Sequence, residues 1–490
     1  MVRHLLECRK NLEKIAIICN EAKITYKEWH VLSKKLSKVI LENADSGIIG
    51  LYIPNSIEYA VGYFACLYAN KVIAPIYINT AEVELINTIR FCEISILIIT
   101  EAQVSNLLPL IYKYGIQIKI IVIDKNSEFK CIYSFFQKGN SQKELLNVDL
   151  SDVILLLQTS GSTDTPKRVM LTNKGLLKNI EGHCKSVGFT ENEVCLIQLP
   201  MVFGYCNTAQ FLAHVFLGAT IVINSTPYTG CDFYRLVNKH SITNFTTVPT
   251  ILTLLSESNI TETDISSLRI ICFGGSPISK DLLSRMIKKF PSIAFIQTYG
   301  LTEAGPRVTT VPNNKYIEKN NSVGIALPDV KLKVVDQDGF ELKCNTEGEI
   351  IVKSDSIMKG YFKLPKETSE TIRDGWLYTG DIGYLTDDGY LYLKGRKKNL
   401  IITGGYNVFP EEVEKVLLLC PHVLDAFVYS KHDSILGEIV CADIVKSHAD
   451  IELEHEIKEI CIKNLSNYKI PKCFRYVNQI NRTYNGKLKR

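Results

Sequence analysis

The sequence has no uncharged apolar run long enough to span a membrane. Its first residues, Met1-Val2-Arg3-His4-Leu5-Leu6-Glu7, carry charges where a signal peptide needs an apolar stretch. A cytoplasmic protein is therefore expected. The chain also lacks a strong charge of either sign: 56 Lys and Arg face 52 Asp and Glu, for a net charge of +4, and the one dense basic cluster is the short stretch Lys394 to Lys398. Nucleic acid is not an expected partner. No CxxC pair occurs among the 15 cysteines, and Cys66, Cys184, Cys272 and Cys441 stand in apolar surroundings, which points to buried reduced thiols rather than disulfides or zinc. Internal repeats and low-complexity segments are absent too. What is left is an ordinary globular composition, 490 residues with 46% hydrophobic and 22% charged content, long enough for two or more domains.

Up to about Asp149, apolar strand-like runs alternate with helix-like segments: Ile48 to Ile53, Ile57 to Ala69, Val72 to Tyr77, Ile96 to Thr100 and Ile118 to Ile123. This alternation predicts a parallel sheet covered by helices. A second α/β run follows. Thr172 is placed to cap a helix that Gly188 ends, a helix is expected near Thr208 to Leu217, and strands are expected at Ala219 to Asn224, Asn244 to Val248, Leu268 to Phe273 and Ile293 to Thr298. From Gly305 to Lys394 short alternating segments are punctuated by Asp338-Gly339, Asp374-Gly375 and Asp388-Gly389, the dipeptides of tight hairpins. A small α+β unit closes the chain.

Chemistry is concentrated at Leu155 to Val169, where a buried strand runs into Thr159-Ser160-Gly161-Ser162-Thr163-Asp164-Thr165-Pro166-Lys167-Arg168. Four hydroxyls, a glycine that permits close backbone approach and a lysine cation suit a phosphate group. The GxxxxGK[ST] spacing is missing, because no glycine precedes Lys167, so this is a different kind of phosphate loop.

The loop resembles [ST]SG[ST]TGxPKG, the signature of the adenylate-forming superfamily, the AMP-dependent synthetases and ligases that include acyl-CoA synthetases, adenylation domains of nonribosomal peptide synthetases and luciferases. Further stretches match in order, from about Ile24 to Arg490. They are Phe273-Gly274-Gly275-Ser276-Pro277, Gln297-Thr298-Tyr299-Gly300-Leu301-Thr302-Glu303, Lys359-Gly360-Tyr361, Trp376 to Asp381, Leu393 to Arg396, Gly404 to Glu414 and Asn485-Gly486-Lys487-Leu488. The resemblance implies a mixed α/β fold: a large N-terminal part, residues 1–394, of two α/β sheets with a β-rich subdomain at 305–394, a hinge at 395–399, and a mobile α+β domain at 400–490.

It also implies roles. Thr159, Ser160, Gly161, Ser162, Thr163 and Lys167 would cradle the phosphates of ATP, and Glu303 with Thr302 would hold Mg²⁺. Gly274, Gly275, Ser276, Gln297, Tyr299 and Gly300 would bind adenine, with Tyr299 offering a flat face. Asp381 and Arg396 would hold the ribose. Lys487 would bridge carboxylate and α-phosphate during adenylation, and Lys398 would be the pivot about which the small domain turns. Phe203, Gly204, Tyr205, Gly274 and Gly300 would line an apolar or aromatic acid pocket, and no Asp follows Phe203 to anchor an α-amino group.

The expected reaction activates a carboxylic acid as its adenylate with release of pyrophosphate, then passes the acyl group to a thiol. CoA is the expected acceptor, and the phosphopantetheine of a separate carrier protein is the alternative. Two departures bear on this. Asp164 and Arg168 stand where the signature has glycine; Asp164 puts an anion into a phosphate loop, and Arg168 is a candidate to restore the local charge by pairing with it. They leave open a catalytically impaired relative that acts as a binding or regulatory protein.

Overall fold

A computed structural model describes residues 2–9, 11–44, 47–123, 129–134 (backbone only), 148–159, 167–276, 278–312, 318–319, 322–404, 406–433, 436–447 and 453–482. Among these, three sheets carry the architecture. The first has eight strands. Its centre is parallel, with Val72–Pro75, Ile48–Leu51, Ile96–Thr100 and Lys119–Ile123 side by side, and Val153–Gln158 joins it at Val72–Pro75. These strands are almost continuously apolar, as strands buried on both faces must be. Helices Tyr26–Asn43 and Ile57–Tyr68 pack together on this sheet around Trp29, Phe64 and Tyr63.

The second sheet is the surprise. Its parallel centre, Thr220–Ile223, Val194–Ile197, Asn244–Thr247, Ile270–Gly274 and Ala294–Tyr299, was expected. A β-rich subdomain at 305–394 was expected as part of the same large N-terminal region. Thr309–Thr310 pairs antiparallel with Ala294–Tyr299 and with Ser322–Ala326, which pairs with Leu391–Arg396, so the hairpin strands extend one continuous sheet of 14 strands. Its open edges are Lys331–Val335 and Ala22–Thr25. The hairpin dipeptides do turn the chain: Gly339, Gly375 and Gly389 all adopt the positive φ that the turns need.

Local signals explain most helix ends. The Thr172 side chain accepts a hydrogen bond from Gly175 N–H at the start of helix Asn173–Val187, and Gly188, at φ 79°, ends it. Ser279 caps Lys280–Lys289 in the same way, and Pro249 opens Pro249–Glu257. One helix differs from expectation. It starts at Gly204, four residues before Thr208, and runs through a π-helical segment, Asn207–Leu212, before returning to α-helix at Ala213–Leu217. The wider turn leaves all six π-helical residues buried. Such bulges recur at functional sites.

After the short 3₁₀ turn Lys397–Asn399, a five-stranded sheet and the helices Pro410–Leu417 and Glu454–Asn464 enclose their own core of Val408, Val413, Leu417, Val428, Ile444 and Ile457. Lys397 reaches back to Glu349 at 2.7 Å, while Asn399 Nδ2 donates to Glu411 Oε1 at 2.8 Å. The cysteines expected in apolar surroundings, Cys66, Cys184, Cys272 and Cys441, are buried free thiols. No helix among the described residues is long and apolar enough to cross a membrane.

Thr172→Ala removes the cap of Asn173–Val187 and should lower stability by about 1 kcal/mol in denaturant unfolding, while Thr172→Ser should recover most of it.

Candidate active site

The phosphate loop is a hairpin connection. Val153–Gln158 and Arg168–Thr172 pair antiparallel with Gln158 opposite Arg168, and Thr159 N–H donates to Lys167 C=O at 3.0 Å. Both ends of the loop are thus pinned. Ser160, Gly161, Ser162, Thr163 and Asp164 lie outside the described residues, as does Lys487.

Arg168 corrects the expectation placed on it. Only 2% of it is exposed, and its guanidinium donates to Pro75 C=O (3.1 Å), Thr88 Oγ1 (3.2 Å) and Gln158 Oε1 (3.0 Å). Gln158 Nε2 in turn donates to Glu84. The physical reason is that the strand is buried on both faces from Arg168 to Leu171, so the long side chain lies in the interior, where three neutral oxygens accept from it. Arg168 therefore ties the base of the loop to the first sheet.

The other predicted residues gather at the ends of the second sheet's central strands, where ligands bind in open α/β sheets. Ala294–Tyr299 delivers Tyr299, and a 3₁₀ turn, Thr302–Ala304, follows and presents Glu303. Tyr361, on the short strand Gly360–Tyr361 that pairs with Val169 and Met170, donates its hydroxyl to Glu303 Oε1 at 2.9 Å. The Lys167 ammonium lies 4.6 Å from the centre of the same ring. One tyrosine thus joins the phosphate-loop lysine to the candidate metal carboxylate. Burial, followed by the Glu303 charge, pushes the Tyr361 hydroxyl far above the ordinary range, so it stays a neutral donor.

Asp381 is 6% exposed and held from two sides, by the Tyr299 hydroxyl at 2.6 Å and by Arg396 Nε at 2.7 Å. Arg396 also donates to Thr379 C=O at 3.0 Å. Burial opposes the Arg396 charge, but Asp381, Tyr299, Glu303 and Glu411 around it outweigh that and raise its pKa. Tyr299 is pushed far up by burial and then by Asp381, so it too keeps its proton. The carboxylate is fixed and charged, a ready acceptor for a diol.

A cavity of about 260 Å³ opens beside these groups, lined in part by Leu301, Glu303, Glu349, Tyr361, Gly380 and Arg396. Glycines shape the neighbouring wall: a Cβ at Gly274 would lie 2.5 Å from Thr298 C=O, and one at Gly300 only 1.8 Å from Pro306 C=O. Gly275 has φ 85° and leaves the backbone exposed beside half-buried Ser276, while half-buried Gln297 is paired with Phe273 and its C=O accepts from Val311 N–H. The donor set fits ATP with Mg²⁺: a hard carboxylate at Glu303, a lysine cation nearby, a clamped carboxylate at Asp381 and close backbone approach at the glycines.

Tyr205 joins this group through Thr298 Oγ1 at 3.3 Å, and Gly204 is pressed against Pro306 and Leu157. Phe203 packs on Tyr77, ring centres 5.4 Å apart. Lys398 lies exposed in the 3₁₀ turn Lys397–Asn399. Sequence reasoning gave no role to Tyr361 or to Glu349, a buried carboxylate that accepts from Gly380 N–H and pairs with Lys397. The signal for Tyr361 was its place directly after Lys359-Gly360, within a stretch already singled out.

The chain belongs to the AMP-binding enzyme family, whose profile matches residues 6–362, with the AMP-binding enzyme C-terminal domain matching residues 412–487. Its relatives are AMP-forming acid–thiol ligases. A 4-coumarate–CoA ligase 2 of Nicotiana tabacum is 30% identical over 487 residues, covering 96% of this chain and 89% of that one. A 2-succinylbenzoate–CoA ligase of Bacillus cytotoxicus is 34% identical over 364 residues, 73% of this chain and 74% of that one. Among solved structures, o-succinylbenzoate coenzyme A synthetase from Bacillus subtilis in complex with ATP and magnesium ion superposes with a TM-score of 0.85 at 27% identity, covering 100% of this chain and 98% of that chain.

Arg168→Gly restores the signature residue and yet should destabilise the protein by about 3 kcal/mol or more, because three buried acceptors lose their donor and a void opens. Denaturant unfolding of this variant against Arg168→Lys checks it.

Proposed function

We propose that this protein is an ATP- and Mg²⁺-dependent ligase that activates a carboxylic acid, aromatic or apolar in its body, as an acyl-adenylate and transfers the acyl group to CoA. The observation that carries this is the joining of Lys167, Tyr361 and Glu303 in one chain of contacts beside the Asp381 clamp. Joining a carboxylate to the α-phosphate brings two anions together, and the arrangement answers that repulsion with fixed positive charge. When bound at Glu303 and Thr302, Mg²⁺ supplies charge withdrawal from phosphate oxygens.

The chain's own groups do the rest. Lys167 faces the phosphates, Tyr361 holds the Glu303 carboxylate in one orientation, and Asp381, fixed by Tyr299 and Arg396, accepts from both ribose hydroxyls. Thr159 and the loop residues Ser160, Gly161, Ser162 and Thr163 cradle the phosphates; Gly274, Gly275, Ser276, Gln297, Tyr299 and Gly300 receive the adenine. Lys487 stabilises the transition state of adenylation. Residues 1–394 and 400–490 act as two domains about a pivot at Lys398, so that rotation exchanges Lys487 for the Gly404 loop and lets the thiol in.

CoA is preferred to a carrier protein because Gly404 to Glu414 has the acyl-CoA synthetase form and because the relatives are CoA ligases. The cytoplasm, which supplies both ATP and CoA, is our reading of where the reaction runs.

Pyrophosphate release should require ATP, Mg²⁺ and an acid, and should stop when the metal is chelated. Lys487→Ala should slow it roughly a hundredfold, equivalent to about 2.7 kcal/mol of transition-state stabilisation. Chromatography should then show the acyl-CoA with AMP. Folded protein that releases no pyrophosphate with any aromatic, aliphatic or amino acid would instead mark a non-catalytic binding protein.

A further inference from the structure

Arg307 follows Gly305-Pro306, and nothing in the adenylation chemistry uses it. It is 1% exposed. Its backbone is clamped by Asn179, whose Oδ1 accepts from Arg307 N–H at 3.2 Å and whose Nδ2 donates to Arg307 C=O at 2.7 Å. The guanidinium lies 4.6 Å above the Tyr205 ring, and its Nε donates to His183 Nδ1 at 3.3 Å. Its Nη2 is buried with no hydrogen-bond partner, and no Asp or Glu among the described residues pairs with it.

The surroundings do not offset that charge. His183 Nε2 meets Ala209 C=O in the π-helix at 3.2 Å, so Nε2 carries the hydrogen and Nδ1 accepts from Arg307. Burial and then the Arg307 charge push the His183 pKa well down, so the ring is neutral, and His214 nearby is pushed down to about 4 by burial. Leaving a buried cation unpaired costs more than stacking on a tyrosine returns. An anion at Nη2 would balance the site.

Position says where that anion comes from. Pro306 presses on Gly204 and Gly300, and the Tyr205 hydroxyl would lie 3.2 Å from a Cβ at Gly274. These four residues, Gly204, Tyr205, Gly274 and Gly300, are the expected walls of the acid pocket, so Arg307, stacked on Tyr205, stands against its aromatic wall. We propose that Arg307 recognises a second anionic group on the tail of the acid. The preferred substrates are acids that carry a further carboxylate at the end remote from the one activated. This rests on the adenylate-forming reading above and narrows its substrate class.

The test pairs cinnamic with 4-carboxycinnamic acid and hexanoic with adipic acid, using the wild type, Arg307→Met and Arg307→Lys. Pyrophosphate release gives kcat/KM, and the unfolding temperature with each acid alone gives binding without turnover. The wild type should favour the dicarboxylic member of at least one pair by roughly tenfold or more. Arg307→Met should bring that ratio close to one, Arg307→Lys should keep part of it, and the favoured dicarboxylate should raise the wild-type but not the Arg307→Met unfolding temperature. Preference for the monoacids in both pairs, or an equal fall on both members in Arg307→Met, would overturn the proposal. If Arg307→Met does not fold, the wild-type ratio and Arg307→Lys decide. Folded protein that turns over no acid yet is stabilised by a dicarboxylate through Arg307 would fail the ligase reading and leave this one standing; no stabilisation by either dicarboxylate would sink it.

Discussion

The carboxylate of Asp381 is the tie on which the arrangement of the site depends. It receives the Tyr299 hydroxyl from the last central strand of the α/β sheet and the Arg396 guanidinium from the final hairpin strand, so one ionised group links Ala294–Tyr299, Trp376–Leu385 and Leu391–Arg396. Around it the other functional groups fall into place: Glu303 follows Tyr299 by four residues, and the hairpin that ends at Arg396 leads directly into the Lys397–Asn399 turn. Removing Arg396 is costly because Asp381, the buried member of the pair, would keep its charge with one partner fewer. The same contact that readies Asp381 to bind a diol therefore also holds the sheet together beside the turn.

Much of this was legible in the sequence, and for definite reasons. Strands such as Ile96–Thr100 are apolar without interruption, and Thr172, Gly188, Ser279 and Pro249 carry their capping or turning chemistry locally. Motif order brought Lys167, Glu303, Tyr299, Asp381 and Arg396 to one region, where the structure also gathers them. The less legible features depend on partners distant in sequence. Nothing within Gly305 to Lys394 announces that Ser322–Ala326 will pair with Leu391–Arg396 and with Thr309–Thr310, merging the hairpins with the α/β sheet. The π-helical turn at Asn207–Leu212 likewise leaves no mark in a pattern read at 3.6 residues per turn.

The two arginines Arg168 and Arg307 show how differently one residue type can be used. Each is almost fully buried, and each stands beside a motif. Arg168 finds three neutral acceptors and serves as a structural tie. Arg307 keeps one nitrogen without an acceptor. Sequence alone suggested that the first restores the local charge beside Asp164 and was silent about the second, because burial and satisfaction are properties of the folded neighbourhood.

The long sheet has a further consequence. Fusing the hairpins to the α/β strands leaves the main run of strands, among the described residues, with open edges at Lys331–Val335 and Ala22–Thr25, and an open edge is a template on which another chain can add a strand. Lys331 and Lys333 occupy one edge and Lys23 the other. An incoming strand would have to accommodate these ammonium groups, so the architecture carries a built-in defence against edge-to-edge aggregation.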